Sequence, residues 1–288
     1  MRIFPLTFGC PRDGDLLVML NDSLRGLNDG RLMPHTIALG TTDWPGDGML
    51  PNEQMAKLAA TGCKFFQRPQ GWGNGCHWSG GIMKIAAIRE MIKQHGILDD
   101  DYILSVDSDV MFTTGRIFDD LQNAGIAGPM QLHDPPLTSR FGKWSHCSGC
   151  CTFIRGSIAK AMADLPDIVY TSINEEFRRD NLATNEDILV SYMACYVGAN
   201  QCPLNHHVEQ NLDDVFWRRK PNGSFFHFNM PAGIFLGINV TGKWDIPKTL
   251  KMLNLYKFNR CSGCGCDTSD DTGPYCGQCE GDLTANAK

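Results

Sequence analysis

An α/β domain with a mainly parallel central sheet, followed by a small cysteine-rich appendage, is the fold class this sequence predicts. Three observations carry that reading. Short apolar runs alternate with helix-period segments over the first two hundred residues, the pattern of βα units. Hydrophobic residues make up 42% and charged residues 20% of the 288, which is ordinary globular usage and excludes a disordered or fibrous chain. From Cys261 onward the composition changes abruptly, with five cysteines and five acids in 28 residues and almost nothing apolar.

The elements follow in order. Residues 2–7 read as a strand and 15–24 as a helix, then 36–40 as a strand and 52–60 as a helix. A short strand at 64–67 leads into a Gly/Trp loop, GWGNGCHWSGG. That loop feeds a helix over 82–95 whose Ile82, Ile85, Ile88 and Ile92 fall on one face. Residues 102–106 form a buried strand by apolar content. Further on, 126–130 and 152–155 read as strands, Ser157 starts a helix to Asp164, and 185–196 is a helix. A strand at 225–228 and a helix at 247–258 complete the first domain, 1–258, and 259–288 forms the second.

Composition also bounds the setting. No apolar run approaches the roughly 18 residues of a membrane span. Pro5 and Pro11 interrupt the amino terminus before a secretory core can form, so the expected location is cytoplasmic, without a membrane partner. Thirteen cysteines in such a chain read as reduced thiols and metal ligands, not as a disulfide framework. The net charge of −6 conceals an asymmetry. Between Trp217 and Arg260, eight bases (Arg218, Arg219, Lys220, Lys243, Lys248, Lys251, Lys257, Arg260) face Asp245 alone, which suits a phosphate-bearing ligand, a polyanion, or simply a solvated basic surface.

The most informative segment is YILSVDSDVMF. A buried strand runs out into Asp107-Ser108-Asp109, and ligands of open α/β sheets bind beyond the carboxyl ends of the strands. Two carboxylates one residue apart at such an end can hold a divalent ion, which can neutralise a diphosphate.

With SGGIMKIAAIREM, YILSVDSDVMF, HCSGCCTFIRGS and TNEDILVSYMA in that order, the sequence resembles the nucleotide-sugar glycosyltransferases of GT-A type over residues 1–240. The resemblance implies a GT-A fold, one Mn²⁺ or Mg²⁺, and a nucleotide-sugar donor, a UDP-sugar first among them. It makes Asp109 the direct metal ligand and puts Asp107 near the ribose or the metal. Thr7 and Asp43 stand where such enzymes contact the nucleotide, and Lys84 is positioned to meet phosphate. In Thr184-Asn185-Glu186-Asp187, acids at a helix start can simply complement the helix dipole. The resemblance instead makes Asp187 the general base of an inverting transfer, with Glu186 as its neighbour. It also makes His227, in an apolar strand, a third metal ligand; a core histidine is the competing reading. The segment HCSGCC becomes a glycine-bearing turn lining the sugar pocket, entering a strand toward Arg155.

In the tail, Cys261-x2-Cys264 and Cys276-x2-Cys279 are separated by eleven residues. Two such knuckles can offer four thiolates to one tetrahedral zinc, and a segment with no core of its own needs that metal to fold. The function expected is therefore metal-dependent transfer of a sugar to a hydroxyl acceptor. The basic stretch beside a zinc ribbon points to DNA, for instance a hydroxymethylated base in phage-type DNA; a glycan, protein or small molecule is the alternative. Two other classes compete. One is a non-catalytic zinc-ribbon nucleic-acid-binding module. The other is a zinc deaminase, suggested by His207-Val-Glu209 and the Pro274–Cys279 segment.

Overall fold

Seven strands form the central sheet, and the alternation of their side chains sorts the core into two faces. The computed structural model describes residues 1–9, 14–39, 50–67, 79–108, 110–112, 114–131, 137–139, 142–179, 186–209 and 225–227. In chain order these contain β1 (Ile3–Gly9), α1 (Gly14–Gly26), β2 (Thr36–Leu39), α2 (Asn52–Ala60), β3 (Lys64–Gln67), α3 (Ser79–His95), β4 (Tyr102–Val106) and β5 (Val110–Phe112). After a 3-10 turn at Arg116–Phe118 come β6 (Ile126–Gly128), β7 (Met130–Gln131), β8 (Leu137–Ser139), β9 (Gly142–Trp144), β10 (His146–Cys147) and β11 (Cys151–Arg155). Then follow α4 (Gly156–Ala163), α5 (Asp167–Arg179), α6 (Glu186–Tyr196), β12 (Gln201–Pro203), a second 3-10 turn at Asn205–His207, β13 (Val208–Glu209) and β14 (Phe225–His227).

The sheet order is β12-β6-β11-β4-β1-β2-β3. Only β11 runs against the rest, pairing antiparallel with both β4 and β6. Both faces are covered, so the strands read as unbroken apolar runs and not as alternating ones. Phe4, Ala38, Ile103 and Ile154 pack on one face with Ile85, Ile88 and Met91 of α3 and with α6. Tyr102, Leu104, Val106 and Phe153 pack on the other face with Leu20 and Leu24 of α1 and with Ile117 and Phe118. The isoleucine stripe read in the sequence is this first face: Ile85 and Ile88 are fully buried, with Ile82 and Ile92 partly buried against the same cluster.

An ion pair with a buried carboxylate fixes the start of the sheet. Asp101, just before β4, accepts from the Arg2 guanidinium at 2.6 Å, from the Arg2 amide at 2.8 Å and from the Leu98 amide at 2.8 Å. Burial alone would raise the Asp101 carboxyl, but the Arg2 guanidinium and the two amides outweigh it and hold it below the usual range.

Two departures from the sequence expectation bear on the packing. The strand expected at 126–130 divides into β6 and β7 at Pro129, which has no amide hydrogen for the ladder and whose carbonyl accepts from the Ser148 amide at 2.7 Å. Helix α5 was not expected, because its β-branched and short polar residues weaken helix propensity. Tyr170, Ile173 and Phe177 nonetheless form a buried stripe, and Phe177 stacks edge-on with Tyr192 of α6 at 4.8 Å. The expected helix at 247–258 and the tail domain, 259–288, lie outside the described residues. Among the described residues, no helix is long and apolar enough to cross a membrane.

Candidate active site

Strands β1, β2 and β4 end together at one edge of the sheet, because their registers are parallel and nearly level. At this edge β4 gives way to Asp107, which is half-buried. Its amide donates to the Cys150 carbonyl at 3.2 Å, and its own carbonyl accepts from the Val110 amide at 3.3 Å. The acidic turn is thus tied on one side to the approach of β11 and on the other to the start of β5. Asp109 itself lies outside the described residues.

Because β11 is reversed, Cys151 pairs with Val106 and the preceding turn, Ser148-Gly149-Cys150, falls at the same edge as Asp107. Asp187, in the first turn of α6, lies directly over that turn. A Cβ added at Gly149 would sit 2.7 Å from Asp187 Cγ and 2.8 Å from Oδ2. Any side chain there must push the carboxylate aside, so the glycine is what permits this close approach. The same reversal carries Arg155 to the opposite edge, paired with Tyr102 and bonded to Asp100. Arg155 therefore stands away from the edge that holds Asp107.

Lys84 comes to the site from α3. It is buried at 4% exposure, and its Nζ lies 3.5 Å from Asp187 Oδ1. Helices α3 and α6 can pack closely enough for this because of Gly81, where a Cβ would fall 2.6 Å from Leu189 Cδ2. Asp187 Oδ1 is buried and accepts no hydrogen bond among the described residues, although it faces this ammonium. The sequence reading assigned Lys84 to phosphate and Asp187 to the acceptor hydroxyl; the fold brings the two together.

His227 closes the set. Strand β14 runs antiparallel to β5 with His227 opposite Val110, so its backbone lies beside the residue that follows Asp109. Glu186 opens α6.

Thr7 stands elsewhere in the economy of the fold. It has no exposed surface, and its hydroxyl is bonded to His35 Nε2 at 2.9 Å. Burial pushes the His35 imidazole down to about 3, so the ring is neutral. Asp43, the Gly/Trp loop with Trp72 and Trp78, the basic stretch 217–220 and 243–260, and Cys261, Cys264, Cys276 and Cys279 lie outside the described residues.

The thiols of the HCSGCC segment are core groups. Cys147, Cys150 and Cys151 are buried, and burial pushes the Cys147 and Cys151 thiols well up, away from the thiolate a metal would need. Gly149 is a position of close approach within the turn that the sequence reading took as glycine-bearing. Its signal was present, since it is the glycine of the turn entering β11, but nothing in the sequence names Asp187 as the group above it.

This sheet, with its single reversed strand and acidic turn at the carboxyl edge, is a GT-A fold. It resembles the crystal structure of the galactosyltransferase LgtC in complex with donor and acceptor sugar analogues, with a TM-score of 0.53 and 14% identity over 88% of this chain and 95% of that one. An active-site mutant of LgtC gives a TM-score of 0.50 and 13% identity over the same shares, 88% and 95%. At such identities the likeness is one of fold. No protein-family model and no curated protein matches the sequence.

Proposed function

We propose that the protein is a divalent-metal-dependent glycosyltransferase that moves a sugar from a nucleotide diphosphate donor, a UDP-sugar first among the candidates, to a hydroxyl acceptor. The observation that carries this is the convergence of the Asp107 turn, Gly149, Asp187 and Lys84 at the carboxyl edge of a GT-A sheet, the edge at which such sheets bind ligands. The donor set suits a hard cation: Asp107 at the end of β4, Asp109 two residues on, and His227 in register with Val110. These residues would hold Mn²⁺ or Mg²⁺, and such an ion, when bound, supplies positive charge to the leaving diphosphate.

In this reading Asp187 accepts the proton of the acceptor hydroxyl as it attacks the anomeric carbon. Its side chain keeps 23% of its surface exposed, which leaves the carboxylate a face for an incoming hydroxyl. Lys84 is a positioning residue for that carboxylate and offers a positive charge near the donor. Glu186 and Asp43 are secondary contacts, to acceptor and nucleotide respectively. Thr7 supports the strand through His35 and is not part of the donor site proposed here.

The acceptor proposed is DNA carrying a hydroxymethylated base. The motive is the excess of eight bases over one acid between Trp217 and Arg260, next to the four-cysteine zinc tail proposed for Cys261, Cys264, Cys276 and Cys279. The deaminase reading loses ground, because His207 faces Asp120 at 2.9 Å and lies in the 3-10 turn that follows β12 of the GT-A sheet. The test is incubation with a panel of nucleotide sugars and Mn²⁺, with mass spectrometry of glycan, peptide and modified-DNA acceptors. Transfer that is abolished in Asp187→Asn is expected. No donor turnover with any nucleotide sugar, in the presence of Mn²⁺ or Mg²⁺, would overturn the reading, and transfer only to glycan or peptide would replace the DNA acceptor.

A further inference from the structure

On the flank of the sheet, two neighbouring histidines and one carboxylate converge without any part in the site described above. Asp120 follows the 3-10 turn Arg116–Phe118, and His206 and His207 form the end of the 3-10 turn after β12. The oxygen Asp120 Oδ2 accepts from His206 Nε2 at 3.1 Å and from His207 Nε2 at 2.9 Å. The two rings lie 4.1 Å apart, centroid to centroid, and tilted by 42°. All three ligand atoms fall within 4.8 Å of one another. His207 is buried and Asp120 half-buried, while His206 is exposed, so one side of the cluster is walled and the other open to solvent.

The two His–Asp spacings are compatible with those around a small divalent ion. With metal–ligand bonds of about 2.0–2.2 Å, neighbouring ligands of a tetrahedral ion stand about 3.4 Å apart and those of an octahedral ion about 3.0 Å. The observed 2.9 and 3.1 Å therefore need a change of only tenths of an ångström. Two imidazole nitrogens with one carboxylate oxygen favour a borderline transition ion over the hard cations that all-oxygen sites take.

We infer that Asp120, His206 and His207 form a second metal site, specific for Zn²⁺ or a similar transition ion, with its remaining position open to water. Two of its ligands sit directly before β13, which pairs with the strand that carries His227. An ion there would tie the turn before β13 to the segment after β5, the two elements that flank β14. The site is independent of the sugar-transfer reading, since none of its residues belongs to the acidic turn.

The test uses the full chain with Cys276 and Cys279 replaced by Ser, to silence the tail, titrated with Zn²⁺ alone and followed by calorimetry and native mass spectrometry. Relative to that parent, His206→Ala is expected to lose one zinc equivalent, or to bind it at least ~10–100-fold more weakly, the loss that even an outer-shell change can produce. Asp120→Asn, which keeps the side-chain shape, is expected to do the same. His206 is largely exposed, so its variant should keep the parent's circular dichroism and melting temperature. In the parent, zinc should also shift the ring ¹⁵N resonances of both histidines. Unchanged stoichiometry and affinity in both variants, or ring resonances that do not move with zinc, would overturn the site and leave a hydrogen-bonded triad.

Discussion

Adding one methyl group at Gly149 should slow the enzyme without unfolding it. The backbone there is outside the left-handed region, so alanine is conformationally tolerated. The new Cβ would lie 2.7 Å from Asp187 Cγ, whereas ordinary contact begins at 3.4 Å. Asp187 Oδ1 would clash more closely still, so the carboxylate must retreat by more than the about 0.7 Å that the Cγ distance alone requires, and it can, because its side chain is 23% exposed at the mouth of the site. A misplacement of about 1 Å in a catalytic group can cost ~10²-fold in rate. The expected loss in kcat is thus ~10–100-fold, or about 1.4–2.7 kcal/mol of transition-state stabilisation. Donor affinity should change little, since the metal and diphosphate contacts lie in other residues. The assay is transfer or donor hydrolysis at saturating donor, beside donor Kd by calorimetry and a thermal melt. Gly149→Ala with an intact melt and wild-type kcat would refute both the placement of Asp187 and its role as base. Gly149→Ala with weakened donor binding and normal kcat would reassign Asp187 to the donor.

Asp109→Asn should abolish transfer while keeping the fold, and excess EDTA should do the same reversibly; full activity in EDTA would remove the metal from the mechanism. Replacing Cys276 and Cys279 together should remove about one zinc per chain, the stoichiometry of a four-thiolate site, as read by elemental analysis of protein purified without added metal. His35 should make stability fall with acidity: its ring stays neutral in the fold down to about 3, while the unfolded ring titrates near its ordinary value. That contribution is complete above pH ~6.5 and is lost as pH falls toward 3, at about 1.4 kcal/mol per pH unit. Denaturant melts at pH 7 and 5 should therefore show a smaller pH dependence for His35→Gln than for the unmutated chain, and equal dependence would show that the native ring is protonated.

Much of the fold was legible because local pattern decides it. The run at 102–106 reads as a strand because both its faces are covered, and the isoleucine spacing of α3 reads as a helix because one face is. The acidic turn was legible for the same reason, as polar residues that end a buried strand. What could not be read was partnership. Asp99, Asp100 and Asp101 are three like acids in a row, yet Asp101 is the one buried on Arg2, Asp100 meets Arg155 and Asp99 meets Lys160. Lys84 and Asp187 meet only because α3 and α6 cross on one face of the sheet, and no spacing along the chain encodes that crossing.

The two glycines at the site make the physical reason specific. A glycine is ordinarily read as a turn residue, chosen for backbone angles closed to other side chains. That reading suits Gly62, Gly96 and Gly198, whose φ values of 86°, 56° and 93° lie in the left-handed region. Gly81 and Gly149 have no such angle, and what each lacks is room: Leu189 stands over one and Asp187 over the other, both on the first turn of α6. One helix terminus is thus seated by two missing side chains, one holding its apolar flank against α3 and the other its acid against the turn into β11. Propensity cannot detect such a position, because the constraint belongs to the neighbour and not to the residue's own backbone. Where the neighbour is a part-exposed carboxylate proposed as the base, the missing methyl would serve the chemistry as well as the packing.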